Sequence, residues 1–278
     1  MPMNSDSKPD DGRAHLQSLL MRESLLDRDL EARTETPVFR MLPDTHVIKI
    51  GGRSIMDGGR RTVYPVVEAL GRALQTKKLI ISTGGGARTR HVFSIGLDLG
   101  LPTGALAQFA MADSLGTAHM LGTLLAPLGV VAIPPEIFGH LLPLFIRSAP
   151  GVIFSGAPPY SMWEHPPVLG RIPPHRTDAG TLLLAECFGS TTVTLVKDVD
   201  GVYDSDPHLN PGATFLPEAS VSELEARGLK TLPFDRVLLD LLRAARLVKR
   251  FQVVNGLVPG RIEAALAGEH VGTFVHAD

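Results

Sequence analysis

Three stretches combine glycine with cations or carboxylates in a pattern that suits phosphate chemistry. Lys49-Ile50-Gly51-Gly52-Arg53-Ser54 directly follows an apolar run. Its two glycines let backbone N–H groups approach a phosphate, and Lys49 and Arg53 can neutralise the charge. Ser82-Thr83-Gly84-Gly85-Gly86-Ala87 repeats the logic after a second apolar run. The third stretch, from Lys197 through Asp200, Gly201, Tyr203 and Asp206 to Pro207, again follows an apolar run. Asp200-Gly201 reads as a turn, Tyr203 can cover an adenine, and Asp206 can hold ribose hydroxyls. Taken singly, the first stretch reads more readily as a tight strand-to-helix turn and the third can be only a turn, but two such glycine loops in one sheet favour phosphate binding. Neither glycine loop is GxGxxG and the chain has no GxxxxGK[ST], so a dinucleotide fingerprint and the usual P-loop are both disfavoured.

Loops of this kind need strands to aim them. From His46 onward short apolar runs alternate with longer amphipathic ones, the pattern of βα units in an α/β protein with a mainly parallel sheet. Strands are expected at 46–50, 79–82, 130–133, 152–154, 193–196, 251–254 and 272–275. One helix is marked by Val63, Val66, Val67, Leu70 and Leu74. A second is expected over Val237 to Arg250, with Arg246, Lys249 and Arg250 suiting its C-terminus. The Met- and Ala-rich run from Ala105 to Met120 reads as a packed helix rather than a cofactor box. Residues 1–43 form an extension whose leucines at 16, 19, 20, 26 and 30 have helical spacing, suited to packing on its own or a neighbouring subunit. Residues 155–177 hold six prolines, the only Trp, His165 and His175, and read as a long functional loop inserted in the domain 44–278.

Composition narrows the class further. The 278 residues are 44% hydrophobic and 20% charged, as in an ordinary folded protein. A net charge of −2 gives no bulk argument for nucleic acid. Cys187 is the only cysteine, so no internal disulfide or CxxC zinc site can form. No run approaches the ~20 apolar residues of a membrane span, and the polar start lacks a leader, so a cytoplasmic protein is expected.

The ordered set VIKIGGRSI, STGGG, RTDAGTLLLAE, VKDVDGVYDSDP and VNGLVPGRIEAAL resembles the amino-acid-kinase family, especially its uridylate kinases, over roughly residues 44–278. The resemblance implies a three-layer α/β/α fold and binding of ATP with Mg2+. It implies that Lys49, Gly51, Gly52 and Arg53 hold transferable phosphates, that Gly84, Gly85 and Gly86 face the acceptor, and that Lys197 stabilises phosphate charge. Asp178 would organise the lysines, and Asp200, Tyr203, Asp206 and Asn255 would line the nucleotide pocket. Arg90 and Asp113 fall where a nucleoside monophosphate would sit, but Ala87 replaces the usual Asn, and the proline-rich insertion replaces the short acceptor loop.

LDRDL, ARTRHVFSIGLDLGLP, SGAPPY and RIPPHRTDAG resemble a narrower group, the molybdenum storage proteins, with this sequence looking more like their α chain. That likeness implies ATP-dependent uptake of molybdate or tungstate into a cage, where the oxyanions condense into polynuclear oxide clusters. Related α and β chains would alternate in a hexamer. Condensation consumes protons, which histidines or protonated carboxyls can deliver. Glu136, His140, His165 and His175 are the candidate cluster ligands, with Glu136 and His140 on one face if their segment is helical. His91, His119 and His208 read as surface or packing residues. A true kinase acting on UMP, and a non-catalytic ATP-binding partner of an active homologue, are the alternatives.

Overall fold

Among the described residues eight strands form one sheet. The computed structural model describes residues 39–158 and 172–278, with the backbone alone at 135–140. The leucine-spaced segment at 16–30 and the centre of the proline-rich stretch, His165 included, lie outside the described residues. The strands are β1 (Thr45–Ile50), β2 (Lys78–Thr83), β3 (Val130–Ala132), β4 (Gly151–Phe154), β5 (Thr192–Lys197), β8 (Glu218–Ser220), β9 (Arg250–Asn255) and β10 (Thr273–His276). A separate hairpin pairs β6 (Val202–Tyr203) with β7 (Phe215–Leu216). The large sheet runs in the order β3-β4-β2-β1-β5-β9-β10-β8, and all neighbours in it are parallel except β9 and β10.

The helices are α1 (Arg60–Ala73), α2 (Gly86–Asp98), α3 (Thr103–Leu125), α4 (Pro135–Ser148), α5 (Thr177–Phe188), α6 (Val221–Arg227), α7 (Leu238–Ala244) and α8 (Arg261–Leu266). Strand parity divides the core into two layers. Ile48, Ile50, Ile81, Val196 and Val254 pack on α1, α3 and α8 through Val66, Leu70, Leu121, Leu125 and Ile262. Val47, Ile80, Val193, Leu195 and Val253 face the other way, onto α5 and α7 through Leu182, Ala185, Leu238 and Leu242. The expected three-layer α/β/α architecture is present, and the Ala105–Met120 run lies within α3.

One expected element is shorter than the pattern suggests. Helix α7 stops at Ala244, and Ala245 is extended, so Arg246, Lys249 and Arg250 do not cap a helix; Arg250 opens β9. Glu186 is the cause. Its carboxylate accepts the N–H groups of Arg246 (2.7 Å), Leu247 (2.9 Å) and Val248 (2.8 Å), and these charge-assisted bonds turn the chain into β9.

Candidate functional site

The parity that builds the core also sets the site. Val47 and Leu195 face α5, so two residues further along each strand Lys49 and Lys197 face it as well. Each is the charged residue at the C-terminal end of a central parallel strand, and each is almost fully buried. Asp178, in the first turn of α5, meets both. Its Oδ1 pairs with Lys49 Nζ, and its Oδ2 accepts from Lys197 Nζ at 3.1 Å. Asp235 N–H donates to the same Oδ2 at 3.2 Å, and the Asp235 carboxylate pairs with Arg176.

Burial alone would raise the Asp178 carboxyl, but Lys197 and Lys49 outweigh it and hold the group well below the usual carboxylate range. Burial acts on Lys197 in the opposite sense. Helped by the like charge of Lys49 and opposed by Asp178, it pushes the ammonium down to about 8. Asp235 is raised, by burial first and then by Asp178, against the pull of Arg176, Lys49 and Lys197. Counting ionised forms, two lysines and Arg176 face two carboxylates, which leaves one positive charge for an incoming anion.

The two glycine turns meet above Lys49. A Cβ on Gly52 would lie 2.5 Å from the Gly84 carbonyl oxygen and 2.5 Å from the Gly86 nitrogen, so the backbones touch only because side chains are missing. A Cβ on Gly84 would lie 3.4 Å from Lys49 Nζ. Gly51, Gly52, Gly84 and Gly85 are buried, whereas Arg53 is exposed at the rim of its turn. The structure therefore brings Lys49, Gly52, Gly84, Asp178 and Lys197 together.

Beyond Lys197 the chain turns at Asp200, whose Oδ1 accepts from Asn255 Nδ2 at 3.0 Å and pairs with Arg261. Asp200, Phe215, Pro217, Arg261, His270 and Gly272 line a cleft of about 350 Å3. Tyr203 tilts on Phe215 with ring centroids 5.5 Å apart, at one side of this cleft. Asp206 is engaged by its own loop, accepting His208 N–H at 2.9 Å. The side chains of Thr89 and Asp113 flank Gly85, through the Thr89 hydroxyl and the Asp113 Cβ, and Thr89 Oγ1 and Asp113 Oδ2 are buried without a hydrogen-bond partner among the described residues. Arg90 is exposed on α2.

The profile of the Amino acid kinase family matches residues 44–140 and 164–255. The chain belongs to the amino acid kinase family. It is 47% identical over 268 residues to the Molybdenum storage protein subunit beta of Azotobacter vinelandii, covering 95% of this chain and 98% of that one. It is 29% identical over 184 residues to a Uridylate kinase of Metallosphaera sedula, covering 65% of this chain and 73% of that one. Among solved structures, uridylate kinase from Archaeoglobus fulgidus superposes with a TM-score of 0.64 at 22% identity, over 83% of this chain and 99% of that one, a likeness of fold alone. The Azotobacter relative is a beta subunit, so the α-type likeness drawn from the sequence gains no support from it.

For this member of the family the candidate cluster ligands are placed less fully than the Lys49–Asp178–Lys197 cluster. Glu136 and His140 both fall in α4, four residues apart, which meets the helical condition set for them. Their side chains and all of His165 lie outside the described residues, and His175 stands in the lead-in to α5. Among the described residues no three His, Cys, Asp or Glu side chains group to hold a metal ion. His91, His119 and His208 are exposed. Motif reading missed Asp235, Arg176, Arg261 and Asp57, which accepts Ala87 N–H at 2.7 Å at the start of α2. Only Arg176 carried a local signal, a cation directly ahead of an acidic helix start.

Proposed function

We propose that this chain binds ATP at the C-terminal edge of its sheet and serves as a subunit of a molybdenum store, taking up molybdate or tungstate with the help of ATP hydrolysis and holding it as polynuclear oxide clusters. The buried Lys49–Asp178–Lys197 cluster is the observation that carries the nucleotide half of this reading. The storage half draws on the 47% identity to a molybdenum storage subunit.

In this reading the phosphates lie over Gly51, Gly52 and Gly84, where no side chain keeps their oxygens from backbone N–H groups. Lys49 and Lys197 follow the charge that develops as the terminal bond loosens, and Asp178 fixes both ammonium groups. Positioning and charge stabilisation supply most of phosphoryl-transfer catalysis, so no strong general base is needed. Asp200, Asn255, Tyr203 and Asp206 serve the nucleoside. Mg2+ fits as an ion carried in by the nucleotide: Asp178 is already matched by two lysines and Asp200 by Arg261, which leaves phosphate oxygens as its main partners. Bound there, it would neutralise phosphate charge.

Glu136, His140, His165 and His175 are the residues proposed to grip cluster oxygens and relay protons. The extension 1–43 packs on its own or a neighbouring subunit, and the chain alternates with a related subunit in a hexamer. A cytoplasmic location agrees with one cysteine and with described helices too short or too polar to cross a membrane.

The deciding experiment is elemental analysis of the purified assembly after incubation with molybdate, with and without MgATP. Many molybdenum atoms per chain, gained only with ATP, are expected; little metal in both samples would end the storage reading. The unpartnered Thr89 and Asp113 atoms beside Gly85 favour a second reading, transfer of the γ-phosphoryl group to a nucleoside monophosphate. Saturable formation of UDP from UMP would establish it.

A further inference from the structure

The Asp235 carboxylate lies next to a second acid, Asp178, in a region shielded from water. Its side chain is 12% exposed, and burial and Asp178 both disfavour its ionised form. Phe234 beside it is held in the core edge-on to Phe251, with ring centroids 5.1 Å apart, so the backbone at Asp235 cannot shift far without unpacking that pair. Its own N–H already serves Asp178. The cations facing it from other elements are Arg176 from the lead-in to α5, Lys49 from β1 and Lys197 from β5. The two lysines are held by Asp178, and Arg176 forms the direct ion pair with Asp235.

We infer that Arg176 is a positioning residue for the lysine cluster: by pairing with Asp235 it keeps that carboxylate from competing with Asp178 for Lys49 and Lys197, and it ties the end of the proline-rich stretch to the loop before α7. Without Arg176, the cations left facing an ionised Asp235 among the described residues are the two lysines. Either it draws a lysine away from Asp178 or it takes up a proton. The position of residues 172–176 thereby becomes coupled to the charge presented to a phosphate.

A removed cation and a removed anion should compensate in this arrangement, which a packing role would not produce. Thermal unfolding of the ligand-free full chain is measured from pH 4 to pH 8 for wild type, Arg176→Ala, Asp235→Asn and the double variant. Asp235 already has a raised folded pKa, and loss of Arg176 raises it further. Its protonated form is then favoured in the fold, so the deficit of Arg176→Ala is small near pH 4 and grows as pH rises. A loss of about 4 °C or more is expected at pH 8, at least half of it recovered in the double variant. A deficit that is equal at all pH values and additive with Asp235→Asn overturns the inference.

The second readout rests on the nucleotide reading. MgATP affinity at pH 8 should fall roughly tenfold in Arg176→Ala and recover in the double variant, since one lost charge contact is worth about that factor. Absence of MgATP binding to wild type would count against the nucleotide reading alone, while the unfolding profiles still decide the role of Arg176. If MgATP binds wild type and Arg176→Ala equally, the positioning role is refuted.

Discussion

Asp178 bridges two buried lysines, and the three are unequal in what their removal leaves behind. Lys49→Ala leaves Asp178 with Lys197, whereas Asp178→Ala leaves two ammonium groups facing each other out of water. Urea unfolding should therefore show Asp178→Ala destabilised by about 3–5 kcal/mol and Lys49→Ala by clearly less. Lys49→Ala should nevertheless lose ATP-driven metal loading; loading equal to wild type would remove that lysine from the mechanism. Lys197, held at about 8, gives two opposite pH trends. Between pH 8 and 10 it is neutral in the fold and charged in the unfolded chain, so stability from this group rises with pH. Over the same range MgATP affinity should fall as the charge is lost, and calorimetric titration at pH 7 and pH 9.5 checks the sign. Lys49, Lys197 and Asp178 were legible because each stands in a short motif beside glycine or at a helix start. Asp235 was not: its pairing with Arg176 and Asp178 is made by the return of a distant loop, and LPFDR has no spacing that announces it.

Among the elements, the glycine turns after β1 and β2 are one feature rather than two. Gly52→Ala forces them apart at 2.5 Å backbone contacts, and the expected result is a loss of about 1–3 kcal/mol in stability with at least a tenfold loss of MgATP affinity. Retained affinity would show that nucleotide binding does not need their contact. Glu186 holds three backbone N–H groups at the exit of α7, so Glu186→Ala should cost about 2–3 kcal/mol in denaturant unfolding and leave nucleotide affinity unchanged. Six-residue strands such as β1 and β5 were readable from apolar runs. The two-residue strands β6 and β7 are too short to show a period, and the end of α7 was hidden because its stop signal sits on another helix.

At the scale of the whole molecule, the described chain places all three glycine turns along one edge of a single sheet, while a cage for an inorganic core demands several copies. Retention of metal should therefore track assembly: co-expression with a related subunit is expected to yield ATP-dependent loading that the isolated chain lacks, read by mass and metal content of the same fraction. Full loading by a monomer would contradict it. The sheet order also bears on how the chain is made. β1 lies between β2 and β5, so one flank is covered early while the other waits until the ribosome has released Thr192–Lys197. At about 5–20 residues per second that wait is on the order of 10 s, with an apolar strand edge open to other chains. Lys49 is the charged residue within β1, so the group proposed to hold phosphate in the finished protein also discourages misassociation in the nascent one.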